Sequence, residues 1–322
     1  MSAVPAVSPT IRPLSGADEL PLFNTLPYLT NHRFAEDLRQ GMRRPQWLWA
    51  ALVDGQVVAR LGWWSTPDAE LPLLLDVFDL LPGHEAAARE LAAAALAAVL
   101  PAGTTPPLFD RILPVDWRAD NEVRTGIESR VRVLETTGAR FFVERLRLEW
   151  RVGTPVPPPT GRLRFRPVAG EAELVELMER VLTETLDAHS RRDLRTMTPR
   201  ETAQLQWDEE MSCYDSPRSW WQVAELPGSG QPVGFVVPAR NHYAPIIAYI
   251  GVLPGHRGHG YVDELLAEGT RVLAEDGAEL IRAATDVGNR PMAASFARTG
   301  YHTIQRVLMM SWDQPTEEGG II

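Results

Sequence analysis

Val252-Leu253-Pro254-Gly255-His256-Arg257-Gly258-His259-Gly260-Tyr261-Val262 is the stretch whose reading decides the fold of this chain. It closes a nearly continuous apolar strand over 245–253 and turns through glycines into a helix expected over 261–274. A glycine turn at a helix start leaves backbone N–H groups bare, and the helix dipole adds to their attraction for an anion. Val262, Leu265, Leu266, Val272 and Leu273 then recur at helical spacing and give that helix one apolar stripe. A further strand over 279–285 and a helix over 289–298, with Asn289 as its cap and Pro291 in its first turn, follow. Strand, anion turn, helix and strand in succession indicate an α/β, or α+β layered, fold.

The first four residues of the turn have a twin. Leu81-Pro82-Gly83-His84 repeats Leu253-Pro254-Gly255-His256, but it runs into Glu85-Ala86-Ala87-Ala88, with an acid first and no glycine. One copy is therefore suited to a phosphate and the other is not. Ile11-Arg12-Pro13-Leu14-Ser15-Gly16 is echoed by Phe165-Arg166-Pro167-Val168-Ala169-Gly170, and Glu19-Leu20 by Glu173-Leu174. Thr137-Gly138 leads to Trp150 as Thr299-Gly300 leads to Trp312. Matches that keep their order at similar separation point to duplication. Gly153-Thr154-Pro155-Val156-Pro157-Pro158-Pro159-Thr160 reads as a stiff linker. The expected division is a degenerate first domain over 1–152, a proline-rich linker over 153–160 and a complete second domain over 161–322. Strands are expected at 47–53, 56–63, 73–78 and 140–151 in the first half, with a helix at 85–100. In the second half, strands are expected at 162–166, 220–225, 232–237 and 303–312, and a helix at 172–186.

Composition narrows the class. The 322 residues are 44% apolar and 23% charged, which is ordinary for a globular chain long enough for two domains. A net charge of −10 without a basic cluster argues against nucleic acid. No apolar run reaches the length of a membrane span. Met1-Ser2-Ala3-Val4-Pro5 has no basic region followed by an apolar core, so no secretory leader is expected. Cys213, the one cysteine, excludes an intramolecular disulfide and fits a reducing cytoplasm. Oligomeric state is left open.

At this point the second half resembles the GNAT superfamily of acyl-CoA-dependent N-acetyltransferases. The turn resembles that family's Gln/Arg-x-x-Gly-x-Gly/Ala motif, and Asn289 with Gly300-Tyr301 resembles its next element. The resemblance covers 162–312, with 252–301 as the specific part. The whole chain is similar to the tandem GNAT arrangement, to which mycothiol synthase also belongs. It implies two tandem domains, each with a mixed, mostly antiparallel central sheet flanked by helices. It implies acetyl-CoA as co-substrate and a small-molecule primary amine as acceptor, joined by direct attack. The strand before the turn would splay from its neighbour. Backbone groups of Val252 and Leu253 would pair with the pantetheine arm. The N–H groups of Arg257, Gly258, His259, Gly260, Tyr261 and Val262 would hold the pyrophosphate. Asn289 reads either as a ligand to the arm or as a plain helix cap.

The chain also departs from the family pattern. Val262 stands where Gly or Ala is usual, facing either the cofactor or the core, and Asp263 and Glu264 follow it. Phe296 stands where many members carry a proton-donating Tyr, and Tyr301 lies too far along to replace it by alignment. Proton handling is assigned to Tyr249, Glu209 and Glu210, with Asp208 and His242 nearby; Tyr249 faces either the substrate groove or a neighbouring core, and a solvated helix end is the competing reading of the acids. Trp207, Trp220 and Trp221 either line an acceptor pocket or pack. Arg118, Arg124, Arg130 and Arg132 read as an exposed helix face. His256 and His259 have no further ligand at metal spacing, and Cys213 has no histidine partner, so no metal or thiol chemistry is expected. The alternative function is an acyl-CoA-binding sensor or scaffold without turnover.

Overall fold

The computed structural model describes residues 8–313; Met1-Ser2-Ala3-Val4-Pro5, where no leader was expected, lies outside them. The chain opens with β1 (Thr10–Pro13), α1 (Leu20–Phe23), α2 (Phe34–Arg39), β2 (Leu48–Val53), β3 (Gln56–Trp64) and β4 (Leu74–Leu80). Next come α3 (Glu85–Val99), β5 (Phe109–Leu113), α4 (Asn121–Glu135) and β6 (Arg140–Arg151). The second half supplies β7 (Arg164–Pro167), α5 (Glu171–Val181), α6 (Ala188–Asp193), α7 (Pro199–Glu209), β8 (Gln222–Glu225) and β9 (Pro232–Arg240). It ends with β10 (Pro245–Val252), α8 (Tyr261–Glu275), β11 (Leu280–Asp286), α9 (Arg290–Arg298) and β12 (His302–Ser311). Most expected elements are present within a few residues. The helix expected at 172–186 ends at Val181, because Glu184 takes a positive φ of 53° and Asp187 starts a separate helix.

Two compact units result: Met1–Phe142 with Val307–Ile322, and Val143–Arg306. The sequence suggested a joint in the proline segment 153–160; the exchange points between units fall inside β6 and β12. Leu308 and Met310, from the chain's end, accordingly sit in the core of the first unit, and Leu148 and Trp150 in that of the second. The two Thr-Gly…Trp echoes are thereby crossed. Trp312 lies 3.8 Å from where a Cβ on Gly138 would stand, and its Nε1 donates to Thr137 Oγ1 at 3.0 Å. Trp150 lies 3.7 Å from the same position on Gly300.

In the first unit β1, β2, β3 and β4 are antiparallel neighbours, and β4 runs parallel to β5. In the second, β7, β8, β9 and β10 are antiparallel neighbours, β10 runs parallel to β11, and β11 pairs antiparallel with β6. Each unit is thus a mixed, mostly antiparallel sheet with helices against it. The duplication extends to hydrogen bonds. Arg12 grips Glu19 at 2.9 and 2.6 Å, and Glu19 also takes the N–H of Ser15 at 2.6 Å. Arg166 grips Glu173 at 3.0 and 2.6 Å, and Glu173 takes the N–H of Ala169 at 2.7 Å.

The second unit's sheet is covered on both faces. Leu265, Leu266 and Leu273 of α8 pack on Val236, Ile247, Ile281 and Ala283, while Leu174, Leu177 and Met178 of α5 pack on Val223, Phe235 and Val237. Burial of such side chains stabilises by about 1.5–3 kcal/mol each. A Cβ on Gly269 would come within 2.7 Å of Val236, so α8 sits closer to the sheet than any other residue there would allow. None of the helices among the described residues is long and apolar enough to cross a membrane.

Candidate functional site

β10 and β11 are hydrogen-bonded partners at one register position only, Ile246↔Arg282, and diverge beyond it. A bulge between Ile247 and Tyr249 on the β9 side bends β10 away. The gap opens into a cleft of about 800 Å³ in the second unit, with β10 from Ile246 to Val252 on one wall and Arg282 to Thr285 of β11 on the other. Arg257, Gly258, Gly260, Tyr261, Val262 and Asn289 stand at its wide end.

The turn there is built to present N–H groups. Gly258 and Gly260 have φ of 82° and 75°, a left-handed geometry open to glycine at little cost. Gly260 caps α8 without a side chain, so nothing covers the helix start. The N–H of His256 donates to Leu253 and that of Arg257 to Pro254. Among the described residues none accepts from the N–H groups of Gly258 through Val262. The Arg257 guanidinium turns away from this cradle: Nε donates to the Val252 carbonyl at 3.1 Å, and its other nitrogens to Thr183 at 2.7 Å and Val181 at 2.8 Å. It pins the turn to the end of α5. The acids behind the turn are also neutralised, Asp263 by Arg298 through two 2.8 Å bonds and Glu264 by Arg162 at 2.5 Å.

Leu253 does not meet the cleft. It is buried at 1% exposure beside Val237, and its N–H donates to Val233 at 2.8 Å, leaving no donor for a ligand. The Arg257 N–H, as above, is likewise used within the turn. Val262 lines the cleft. His259 is exposed and its carbonyl accepts from Arg162 at 3.0 Å. Asn289 Oδ1 caps α9 through the Met292 N–H at 3.3 Å while the residue also lines the cleft, so both of its readings coexist. Phe296 is buried and touches the cleft; Tyr301 is withdrawn into the core with its hydroxyl on Thr270 at 2.8 Å.

Tyr249, Glu209 and Glu210 all line the cleft. Tyr249 stacks on Phe235 at 5.3 Å, and burial, then the charges of Asp187 and Glu210, push its phenol well above the ordinary range. It stays protonated and suits proton donation, not the role of a base. Glu210 accepts from the Tyr214 hydroxyl at 2.6 Å. The neighbouring candidates are elsewhere: Trp207 and Trp221 pack edge to face at 6.0 Å, and neither they nor Trp220, Asp208, His242 or Cys213 lines the cleft.

The structure adds groups that sequence did not single out. Asp187, His189 and Asp286 have side-chain donor atoms within 4.8 Å of one another, a spacing at which such groups hold a metal. Here Asp187 caps α6 through the Ser190 N–H at 2.8 Å, and Asp286 takes the Ala188 N–H at 2.7 Å with Arg145 at 3.1 Å. Burial, and then Arg145, lowers the His189 imidazole to about 4, so it is neutral near pH 7. Arg145 and Arg147 of β6 also line the cleft. The alternation Arg145-Leu146-Arg147-Leu148 signalled a strand with one charged face, but not that the strand serves the second unit.

Residues 179–301 match the model of the acetyltransferase (GNAT) family. No curated protein matches the sequence. A GCN5-related N-acetyltransferase from Sphaerobacter thermophilus is similar in structure, with a TM-score of 0.58 at 16% identity over 98% of this chain and 99% of that one. So is the GCN5-related glucosamine N-acetyltransferase region of a fungal multi-domain GH3 β-N-acetylglucosaminidase, with a TM-score of 0.53 at 14% identity over 96% of this chain and 39% of that one. A tandem GNAT protein from the clavulanic acid biosynthesis pathway aligns over 96% of this chain and 100% of its own, at 16% identity and a TM-score of 0.48.

Proposed function

We propose, from the match of residues 179–301 to the acetyltransferase (GNAT) family, that the cleft of the second unit binds acetyl-CoA and passes its acetyl group to a primary amine of a small molecule. The observation that carries this reading is the meeting of two features: a gap between β10 and β11, and a turn of bare N–H groups at its mouth. A pyrophosphate suits that turn, since backbone donors and the α8 dipole hold a dianion without a basic surface. The free β10 edge suits the amides of a pantetheine arm. Bound there, the thioester supplies an electrophilic carbonyl.

The chain's own groups then have definite tasks. Glu210 or Glu209 takes the proton that the amine loses as nitrogen bonds to the carbonyl carbon. Tyr249, kept protonated, gives its proton to the sulfur as the C–S bond breaks, a role that Phe296 cannot fill. Backbone N–H groups of the bulged β10 steady the oxyanion. We place the reaction in the cytoplasm, which fits one unpaired cysteine, and assign no acyl-CoA to the first unit.

The test is release of free CoA from acetyl-CoA across a panel of amines, with acetyl-CoA binding followed by thermal stability. Turnover is expected, and Tyr249→Phe should lower kcat by about a hundredfold, the scale of a lost general acid. Binding without CoA release from any amine would favour the sensor reading, and no binding would defeat the assignment of the turn.

A further inference from the structure

Glu209 and Glu210 stand side by side at the end of α7 and both line the cleft, but their carboxylates are held differently. Glu210 Oε1 accepts from the Tyr214 hydroxyl at 2.6 Å, and Tyr214 itself stands outside the cleft lining. Among the described residues no group donates to Glu210 Oε2 or to the Glu209 carboxylate. One glutamate is thus tethered by one oxygen with the other left open, and its neighbour is not tethered at all.

The turn that joins Glu210 to Tyr214 is fixed from behind. Met211 is fully buried in the apolar cluster that α5 forms with β8 and β9. The Arg218 guanidinium lies over the Trp221 ring at 4.0 Å and donates to the carbonyls of Met211 at 2.7 Å and Ser212 at 3.0 Å. The Cys213 N–H closes the turn on the Glu210 carbonyl at 3.1 Å. Tyr214 and Tyr249 both pack against the same cluster. Burial, and then the Glu210 charge, keep the Tyr214 phenol well above its ordinary range, so it stays a donor.

Resting on the acetyl-transfer reading, we propose that Glu210 is the base and that Tyr214 is its positioning residue, holding Oε1 so that Oε2 meets the acceptor amine. A general base acts only within hydrogen-bond reach of the proton it takes, and a long exposed side chain must be held to stay there. Oε2 takes a proton from nitrogen as the N–C bond forms and the C–S bond breaks, while the Tyr249 proton goes to sulfur. Solvent passes the proton from Glu210 to the Tyr249 phenolate, which resets both groups. Of the two glutamates it is Glu210 whose charge, after burial and Asp187, holds the Tyr249 phenol up. Neutralising Glu210 removes that part of the bias, so the donor strengthens when the sulfur needs it.

The test measures CoA release by the full chain with the amine that the wild type uses best, and follows acetyl-CoA binding by thermal shift in every variant. Glu210→Gln should lower kcat about a hundredfold, and Glu209→Gln by less than about tenfold. Tyr214→Phe keeps the ring and loses the hydroxyl. Its kcat should fall about tenfold, the scale of a charge-assisted bond, with KM for acetyl-CoA unchanged. In the Glu210→Gln background the same change should cost less than about twofold, because the bond there holds no base. A hydroxyl that served only the fold would cost the same in both backgrounds. Wild-type kcat in Tyr214→Phe, an equal loss in both backgrounds, or a larger loss from Glu209→Gln than from Glu210→Gln overturns the proposal. If the wild type releases CoA in that event, only this inference falls. If it releases none with any amine, the acetyl-transfer reading falls and this inference with it.

Discussion

The two Leu-Pro-Gly-His turns lead to opposite outcomes at the same place in the repeat. After Leu253-Pro254-Gly255-His256 comes Arg257, which swings out to three carbonyls and leaves the start of α8 bare. After Leu81-Pro82-Gly83-His84 comes Glu85, whose carboxylate folds back onto the N–H groups of Glu85 and Gly83 and the Ser129 hydroxyl at 3.0 Å. These donors hold its carboxyl below the ordinary range. The first unit therefore supplies its own anion where the second leaves room for one.

The strands before the turns differ in the same sense. β4 and β5 are also bonded at a single position, Leu75↔Phe109, so the first unit keeps the splay. Where β10 has Gly251 two residues before the repeated Leu, β4 has Asp79, which is 2% exposed and paired with Arg60 at 2.9 Å, Arg111 at 2.9 Å and Arg130 at 3.1 Å. Arg130 also donates to the Phe78 carbonyl at 3.0 Å, engaging the strand edge that the second unit leaves free. An open gap in one copy is thus a salt-bridged core in the other. Arg130 corrects the expectation of an exposed basic helix face: its charge belongs to that core, while Arg124 and Arg132 stay at the surface.

Removal of Asp79 should have the largest effect. Asp79→Ala leaves three arginines without their shared acid, and the first unit should lose about 3–5 kcal/mol, the usual cost of breaking a buried pair. Denaturant unfolding measures it, and a loss near zero would mean that the cluster is not a core element. Next comes Gly260→Trp, which fills the bare cradle. The stabilisation by acetyl-CoA, about 2.7 kcal/mol at a hundredfold excess over Kd, should vanish from the thermal transition; its survival would place the cofactor elsewhere. Glu85→Ala is the smallest, about 1 kcal/mol from the lost bonds at the α3 start. Because the folded carboxyl is lowered, its contribution is full above the unfolded carboxylate pKa and fades as pH falls through the folded value. Melting of wild type and variant against pH should therefore converge in acid, and a gap that widens there would contradict the arrangement.

Much of this was legible in the chain. Glycine spacing marked the turn, because only a left-handed backbone lets Gly258 and Gly260 face their N–H groups outward. The acid at Glu85 marked the twin that fills its own turn, because a side chain within reach of its own helix start takes the donors there. The Arg12/Glu19 and Arg166/Glu173 echoes became matching clamps. Local sequence determines such features, since each involves residues a few positions apart.

Tertiary structure decided the rest. That β6 serves the second unit and the end of β12 the first is a matter of long-range pairing, whose free energy lies in contacts between residues far apart in sequence. It alone brings Arg145 and Arg147 to the cleft and crosses Trp150 and Trp312 between the Gly300 and Gly138 turns. Arg130 read as a surface charge along the chain, and only folding shows it in one buried cluster with Asp79. Charge type is written in the sequence; whether that charge meets water, a ligand or a buried partner is set by what the fold places beside it.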